Sequence, residues 1–271
     1  MFTMSEQDVL LPGENSRTNA ALLEQMRQHV SNLMAATHLL TPVVRESGEV
    51  KYDQYLAIMN QSFYRLLRLM NHMEFSQGLE EGDLPYHPGT LDLAGLCHET
   101  ATETESLARM AGVTFRYESE LTSLITTGDA ILLRRMLLGL FSNALRAAGQ
   151  GGEAGLHLAK QRGKAVLTIW DNGPGLSPGE DAESRYCSEG GMGLGLGIVR
   201  NLASLHGGTV MLESRPQRGL RAVVSLSIQA PQPGIVRTPP PKWDLNGGFP
   251  PVLVELADLL PYEAFLPDDL E

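Results

Sequence analysis

Cysteine is scarce in this chain: among 271 residues there are 2, Cys97 and Cys187. They stand far apart and in unrelated contexts, which excludes a disulfide framework and a metal cluster of the C-x-x-C kind, and a reducing cytoplasm fits. No uninterrupted apolar run reaches the roughly eighteen residues that a membrane-spanning helix needs. The opening MFTMSEQDVLLPGEN has neither a charged leader nor a long apolar stretch, so a soluble, unsecreted, cytoplasmic chain without a membrane segment is expected. Basic residues are also in deficit. Lys and Arg number 21 against 32 Asp and Glu, and the net charge of -11 leaves no positive stripe to follow a phosphate backbone. Nucleic acid is therefore not an expected partner.

What is present reads as two domains and a tail. Residues 1–15 are polar with a Pro-Gly pair and read as a loose arm. From there Leu22, Met26, Val30, Leu33, Thr37, Leu40 and Val44 recur every three or four positions, the signature of one helical stripe. After a break at Ser47 and Gly48 a second stripe follows: Tyr55, Met59, Ser62, Leu66, Leu69 and Met73. The spacing predicts an antiparallel hairpin over 16–78, and one apolar seam on such a hairpin is usually completed by a second copy. A homodimeric four-helix bundle is expected. The alternative is that these helices pack on the rest of their own chain.

The Gly, Pro and acidic residues of GLEEGDLPYHPGT read as a linker over 79–90. Beyond it, over 91–229, the pattern mixes types. Helices are predicted from Asp92 to Met110, from Ala130 to Ala148 and after Leu194. Strands are predicted near 113–117, 124, 155–160, 164–170, 208–213 and 220–228. Helices that do not alternate strictly with strands argue for an α+β chain whose second domain is an α/β sandwich, a mixed sheet covered on one face. The tail, 230–271, opens with the Pro-rich PQPGIVRTPPPK and holds a short apolar helix through Phe249, Val252, Leu253, Leu256, Leu259 and Leu260. That helix must dock, either on its own second domain or as a latch or partner element.

Three segments of the second domain carry chemistry. Asp171-Asn172-Gly173-Pro174-Gly175 follows the apolar strand AVLTIW. A carboxylate there can accept a hydrogen bond from an amino group while the chain turns tightly beside a flat ring, although D-N-G is also an ordinary turn signal. In GGMGLGLGIVRNLASLHGG, Gly191, Gly193, Gly195 and Gly197 precede and enter a helix, whose opening amides suit a phosphate. In LLGLFSNALRAAG, Asn143 lies on a strongly apolar helix. Its amide oxygen can ligate Mg2+, or be satisfied within a core.

Taken together, Asn143-Ala144, Asp171 to Gly175, Gly191 to Leu196 and His206 to Gly208 resemble the N, G1 and G2 boxes of sensor histidine kinases. LDLAGLCHETATE, TGDAILLRRMLLGLFSNAL and RLLRLMNHMEFSQG extend the resemblance over roughly 20–228. It implies a dimerisation hairpin followed by an ATP-binding domain of the histidine kinase, Hsp90 and gyrase type. It implies ATP and Mg2+ as cofactors. By the resemblance Asp171 receives the adenine amino group, Gly173 and Gly175 shape the pocket floor, Asn143 holds Mg2+ and Arg146 lies near phosphate. Gly191, Gly193, Leu194, Gly195 and Leu196 form the second glycine box, which hinges the lid over the nucleotide.

The chain departs from the family pattern in places. Gly139 stands where the N box has an Asn or an acid, and LSPGEDAESRYCSE between the glycine boxes is short and lacks a Phe-x-x-Phe pattern. The acceptor motif, a His followed by an acid and five residues on by a Pro, is met by His29 with Val30 and Met34 in those places. Matching the apolar seam instead puts Gln28 at the acceptor position. His38, with Thr41 and Pro42 after it, resembles the motif with one residue deleted. The resemblance implies a histidine kinase that phosphorylates His29 and passes the group to the receiver domain of a response regulator. Two alternatives stay open: an ATP-binding scaffold that regulates a partner without transfer, and a protein-serine kinase of the anti-sigma type.

Overall fold

The computed structural model describes residues 12–46, 49–82, 84–175, 195–214, 219–230 and 249–266. Two long helices come first, α1 (Pro12–Arg45) and α2 (Val50–Glu81). They run antiparallel, pinned near one end by Arg45 on Asp53 at 3.2 Å and near the other by Arg27, which donates to Asn71 Oδ1 at 3.1 Å and to Glu74 Oε2 at 2.6 Å. α1 already starts within the stretch read as an arm. α2 takes in 79–81 of the expected linker, and the first strand takes 89–90.

Each helix carries two apolar stripes. On α1, Leu23, Val30 and Thr37 are buried, whereas Leu22, Met26, Leu33 and Leu40 are exposed. On α2 the whole stripe visible in the sequence, Tyr55, Met59, Leu66, Leu69 and Met73, faces solvent, while Leu56, Ala57, Phe63, Tyr64, Leu67, Met70 and Phe75 are buried. The covered face of α2 meets α1, the second domain and the C-terminal segment, so its sequence pattern is broad rather than a single seam.

The second domain contains β1 (Gly89–Asp92), α3 (Leu93–Met110), β2 (Thr114–Ser119), β3 (Ile125–Gly128), α4 (Ala130–Ala148), β4 (Glu153–Gln161), β5 (Lys164–Asp171), α5 (Gly195–Leu205), β6 (Thr209–Ser214) and β7 (Leu220–Ser227). β1 and β3 form a small antiparallel pair; the main sheet has the order β2-β4-β5-β7-β6, parallel only between β2 and β4. The mixed sheet expected from the sequence is therefore present. Because side chains alternate along a strand, Ala165, Leu167, Ile169 and Asp171 share one face of β5, opposite Ala222 and Val224 of β7 and Leu156 and Leu158 of β4. Helices α3, α4 and α5 form the other layer.

Helix α4 is the centre of that layer. Its N-cap Asp129 accepts from the amides of Ile131 and Leu132 through Oδ1 and from that of His87 through Oδ2. The Asp129 amide donates to His206 Nε2 at 3.0 Å, and the opposite ring nitrogen of His206 lies 2.8 Å from the Leu202 carbonyl. These contacts select the Nδ1-protonated ring. Burial then pushes the His206 pKa below its ordinary value, against the opposing effects of Leu202 and Asp129.

The tail docks where the hairpin and the second domain meet. A short helix, α6 (Pro251–Leu256), and a 3-10 turn (Tyr262–Phe265) lie against α2, α3 and α4. Tyr64 of α2 meets the rings of Phe249 and Phe265, with centroids 5.7 and 5.3 Å away. Asn60 and Gln61 donate to the carbonyls of Phe265 and Leu260. The tail thus packs on its own chain, and the hairpin supplies as much of its seat as the second domain does.

Charge is buried at this junction. Glu255 of α6 takes Arg68 Nε at 3.2 Å and His72 Nε2 at 3.1 Å, both from α2. Burial pushes the Glu255 carboxyl up, but the His72 hydrogen bond and charge, with the charges of Arg68 and Arg135, outweigh it and hold the pKa at about 2. A carboxyl whose folded pKa is depressed stabilises the fold fully above its unfolded value, near 4.5, and loses that contribution as pH falls towards about 2. Glu255→Gln is expected to lower stability at pH 7 by about 2–4 kcal/mol, since it takes the buried carboxylate from His72 and leaves Arg68 with Asp258 alone of its two carboxylate partners. Urea unfolding should show that difference shrinking below pH 4.5; a difference independent of pH would remove the ion cluster as its cause.

Candidate functional site

The end of β5 and the last turns of α4 come together around the D-N-G-P-G turn. Asp171 is the last residue of β5, buried, on the strand face that looks at the helical layer. Its Oδ1 accepts from the amide of Gly173 at 2.9 Å and that of Leu220 at 3.3 Å, which fixes the carboxylate plane between the G1 turn and the start of β7. Asn172 ties the turn to the start of β4: its Oδ1 takes the Glu153 amide at 2.7 Å, and its own amide donates to the Glu153 carbonyl.

The glycines of the turn are required by space and by dihedral. A Cβ on Gly173 would stand 2.2 Å from the carbonyl oxygen of Ala147 on α4, and Gly175 has φ +69°. The turn therefore touches the backbone of α4 directly. On that helix Gly139, Asn143 and Ala147 lie one turn apart in a row, with Arg146 beside them. Asn143 and Arg146 are half-buried, and a Cβ on Gly139 would meet nothing within 4 Å. The structure thus brings Asn143, Arg146, Asp171, Gly173 and Gly175 to one place.

Gly191, Gly193 and Leu194 lie outside the described residues. Gly195 opens α5 and Leu196 is buried, so the second glycine box ends where a helix begins. The HGG histidine that the sequence groups with this box is the structural tie between α5 and the N-cap of α4 described above. Sequence reading missed that tie, and missed Arg135, which donates to the Asn71 carbonyl at 2.6 Å and covers the Phe75 ring at 4.3 Å. A second Arg in RRM on an apolar helix was its only signal.

His29 and His38 are both exposed on α1. Nine residues apart on a helix, they project from opposite sides. His29 stands within the exposed stripe of Leu22, Met26 and Leu33; Val30 beside it is buried towards α2. His38 lies about three turns from Arg27 on the same side, and Arg27 and Arg135 of α4 meet on Asn71. Pro42 lacks the amide that would otherwise bond the His38 carbonyl.

Comparison with known proteins bears on this arrangement. Residues 128–230 match the family described as histidine kinase-, DNA gyrase B- and HSP90-like ATPase, a span that runs from the N-cap of α4 through Asp171 to the end of β7. The sensor protein QseC of Salmonella typhimurium is 29% identical over 201 residues, which cover 71% of this chain and 44% of QseC. The chain is thus similar to sensor histidine kinases, and residues 128–230 match that ATPase family. It spans less than half the length of the first curated relatives it matches. Full-length histidine kinase ShkA, solved with AMPPNP, has the same fold over 80% of this chain and 47% of its own, with a TM-score of 0.65 at 22% identity. Histidine kinase ThkA, solved in complex with response regulator TrrA, aligns over 81% of this chain and 67% of its own, with a TM-score of 0.50 at 19% identity. The matched span lies within the second domain, and no helix among the described residues is long and apolar enough to cross a membrane.

The contrast between Gly173 and Gly139 is open to measurement. Gly173→Ala should destabilise by about 1–3 kcal/mol, because its methyl group meets a backbone carbonyl rather than a movable side chain. Gly139→Ala should stabilise by up to about 1 kcal/mol, the helix-propensity difference in open space. Melting curves that rank the two variants the other way would contradict the packing of the turn on α4.

Proposed function

We propose that this chain is a cytoplasmic ATP-dependent protein-histidine kinase that acts as a homodimer and passes its phosphoryl group to the receiver domain of a response regulator. The observation that carries the reading is the buried Asp171 carboxylate, held by two amides at the mouth of a turn that presses on the Asn143 helix. ATP is the substrate and supplies the γ-phosphoryl group. The residues fit it by chemistry: Asp171 accepts the adenine amino group, and the bare Gly173–Gly175 backbone admits the ring edge. Asn143 offers an amide oxygen to Mg2+, and Arg146 a guanidinium to the phosphates. Gly191, Gly193, Leu194, Gly195 and Leu196 belong to this reading as the segment that closes over the nucleotide.

The proposed domain plan keeps the order of arm, hairpin, linker, ATP-binding domain and tail, with the hairpin extended to the helices Pro12–Arg45 and Val50–Glu81 and the ATP-binding domain starting at β1, Gly89–Asp92. The homodimer is supported by the stripe of Leu22, Met26, Leu33, Tyr55, Met59, Leu66, Leu69 and Met73 left in water on the hairpin, more apolar surface than a lone hairpin carries without a partner. The response regulator is supported by the similarity to sensor histidine kinases and by the ThkA complex with TrrA.

The acceptor is His29 by sequence match. Attack of its neutral imidazole on the γ-phosphorus forms the P–N bond as the bond to ADP breaks, and no acid follows His29 to steady the cation. A second reading, in which His38 receives the group, is favoured by its place on the Arg27 side of α1, where the ATPase domain docks. An ATP-binding scaffold without transfer is the remaining alternative, since Gly139 and Val30 remove groups that assist the metal and the imidazole.

Incubation with γ-labelled ATP and Mg2+ decides among them. The kinase acquires acid-labile phosphate, which His29→Gln abolishes and His38→Gln spares; the reverse pattern moves the acceptor to His38, and no label with ATP still bound leaves the scaffold. Asp171→Asn should weaken ATP about tenfold to a hundredfold, as loss of a charge-assisted hydrogen bond implies. Calorimetry with unchanged affinity would remove the adenine assignment. For the dimer, sedimentation should give a mass near twice 29.5 kDa for the chain, and replacing Leu33 and Leu66 by Glu should halve it; a monomer at the outset rejects the bundle.

A further inference from the structure

The C-terminal segment 249–266 is seated on two bodies at once, and one of its side chains reaches Arg146 of α4. Asp258, two residues beyond α6, pairs with Arg68 and, at 3.4 Å, with Arg65, both on α2. Its Oδ2 also lies 4.0 Å from Arg146 Nη2 on α4. Arg146 immediately precedes Ala147, whose carbonyl is the atom packed against Gly173 of the D-N-G-P-G turn. The same carboxylate therefore stands between the hairpin arginines and the guanidinium of Arg146.

The seat is extensive. Val252, Leu253, Val254, Leu256, Ala257, Leu260, Ala264 and Phe265 are buried, and the Gln61 amide reaches the Leu260 carbonyl at 2.7 Å. Nothing in the match to the ATPase family accounts for this segment, since that match ends at residue 230.

We propose that residues 249–266 are an autoinhibitory strap: Asp258 holds Arg146 in the nucleotide-free chain, and ATP must draw Arg146 away from it to bind. The inference rests on the reading of the pocket given above, in which Arg146 faces phosphate. Two anions compete for one guanidinium, so the strap weakens ATP binding and ATP weakens the strap by the same factor. A strap that stays fastened holds the ATPase domain on α2; one loosened by ATP frees the domain to move along the hairpin.

The test compares ATP with adenosine, which lacks the phosphates. Asp258→Asn should tighten ATP by about two- to fivefold, the range for a partly exposed ion pair, and leave adenosine unchanged. In an Arg146→Gln background Asp258→Asn should have no effect on either. Equal ATP affinity for wild type and Asp258→Asn, with Asp171→Asn still weakening ATP, overturns the strap alone; ATP affinity insensitive to Asp171→Asn overturns the pocket and the strap together. Should Asp258→Asn fail to fold, the wild-type protein decides by hydrogen exchange. Amides of 252–260 must exchange faster with saturating ATP than without it, and unchanged or slower exchange overturns the proposal.

Discussion

Helix α4 has to be buried on nearly every side, and the rest of the structure is arranged around that requirement. Leu132, Leu133, Met136, Leu137, Leu138, Leu140, Phe141, Ala144 and Leu145 are all covered, by the sheet beneath, by α3 and α5 at the flanks and by α6 above. A helix apolar around most of its circumference cannot sit at a surface. Its charged residues therefore project where neighbours receive them: Arg134 to Glu103, Arg135 to Asn71 and Arg146 towards Asp258. Asp129 and His206 set where the helix begins, and Gly173 sets how closely β5 approaches its end.

The hairpin solves a different problem. α2 is asked to meet α1, α4, α5 and the C-terminal segment with one face, and it does so with polar as well as apolar groups: Asn60, Gln61, Arg68 and Asn71 are all buried. Each has a partner of stated geometry. Such contacts hold a specific docking register more than they add net stability, since a buried ion pair roughly breaks even against an apolar replacement. That suits a junction built to hold one position and to be released from it.

Most of the second domain was legible because its cues are local. Asp92 and Asp129 cap α3 and α4 where the sequence starts those helices, and alternation along AVLTIWD places Asp171 on the buried face of β5. The G1 turn was legible from its turn residues, and the positive φ of Gly175 is local, but the space that requires Gly173 is set by the Ala147 carbonyl on α4. The hairpin was legible only in part: the stripe of Tyr55, Met59, Leu66, Leu69 and Met73 is real, but it is the uncovered stripe. The covered face mixes Arg, Asn, Gln and Tyr with leucines because its partners lie up to 205 residues away, and helical periodicity carries no information about them. The double role of Asp258 was hidden for that reason too, being set by tertiary contact alone.

A nucleotide seated where the last turns of α4 meet the G1 turn is what the proposed kinase activity requires above all. Photolabelling with 8-azido-ATP, followed by peptide mapping, tests that seat most directly, because the azide is carried on the adenine ring and reports the protein atoms beside it. Label is predicted in peptides that contain residues 139–147 or 171–175, suppressed by excess ATP. Label that ATP suppresses but that maps only to the hairpin, residues 12–82, would contradict it.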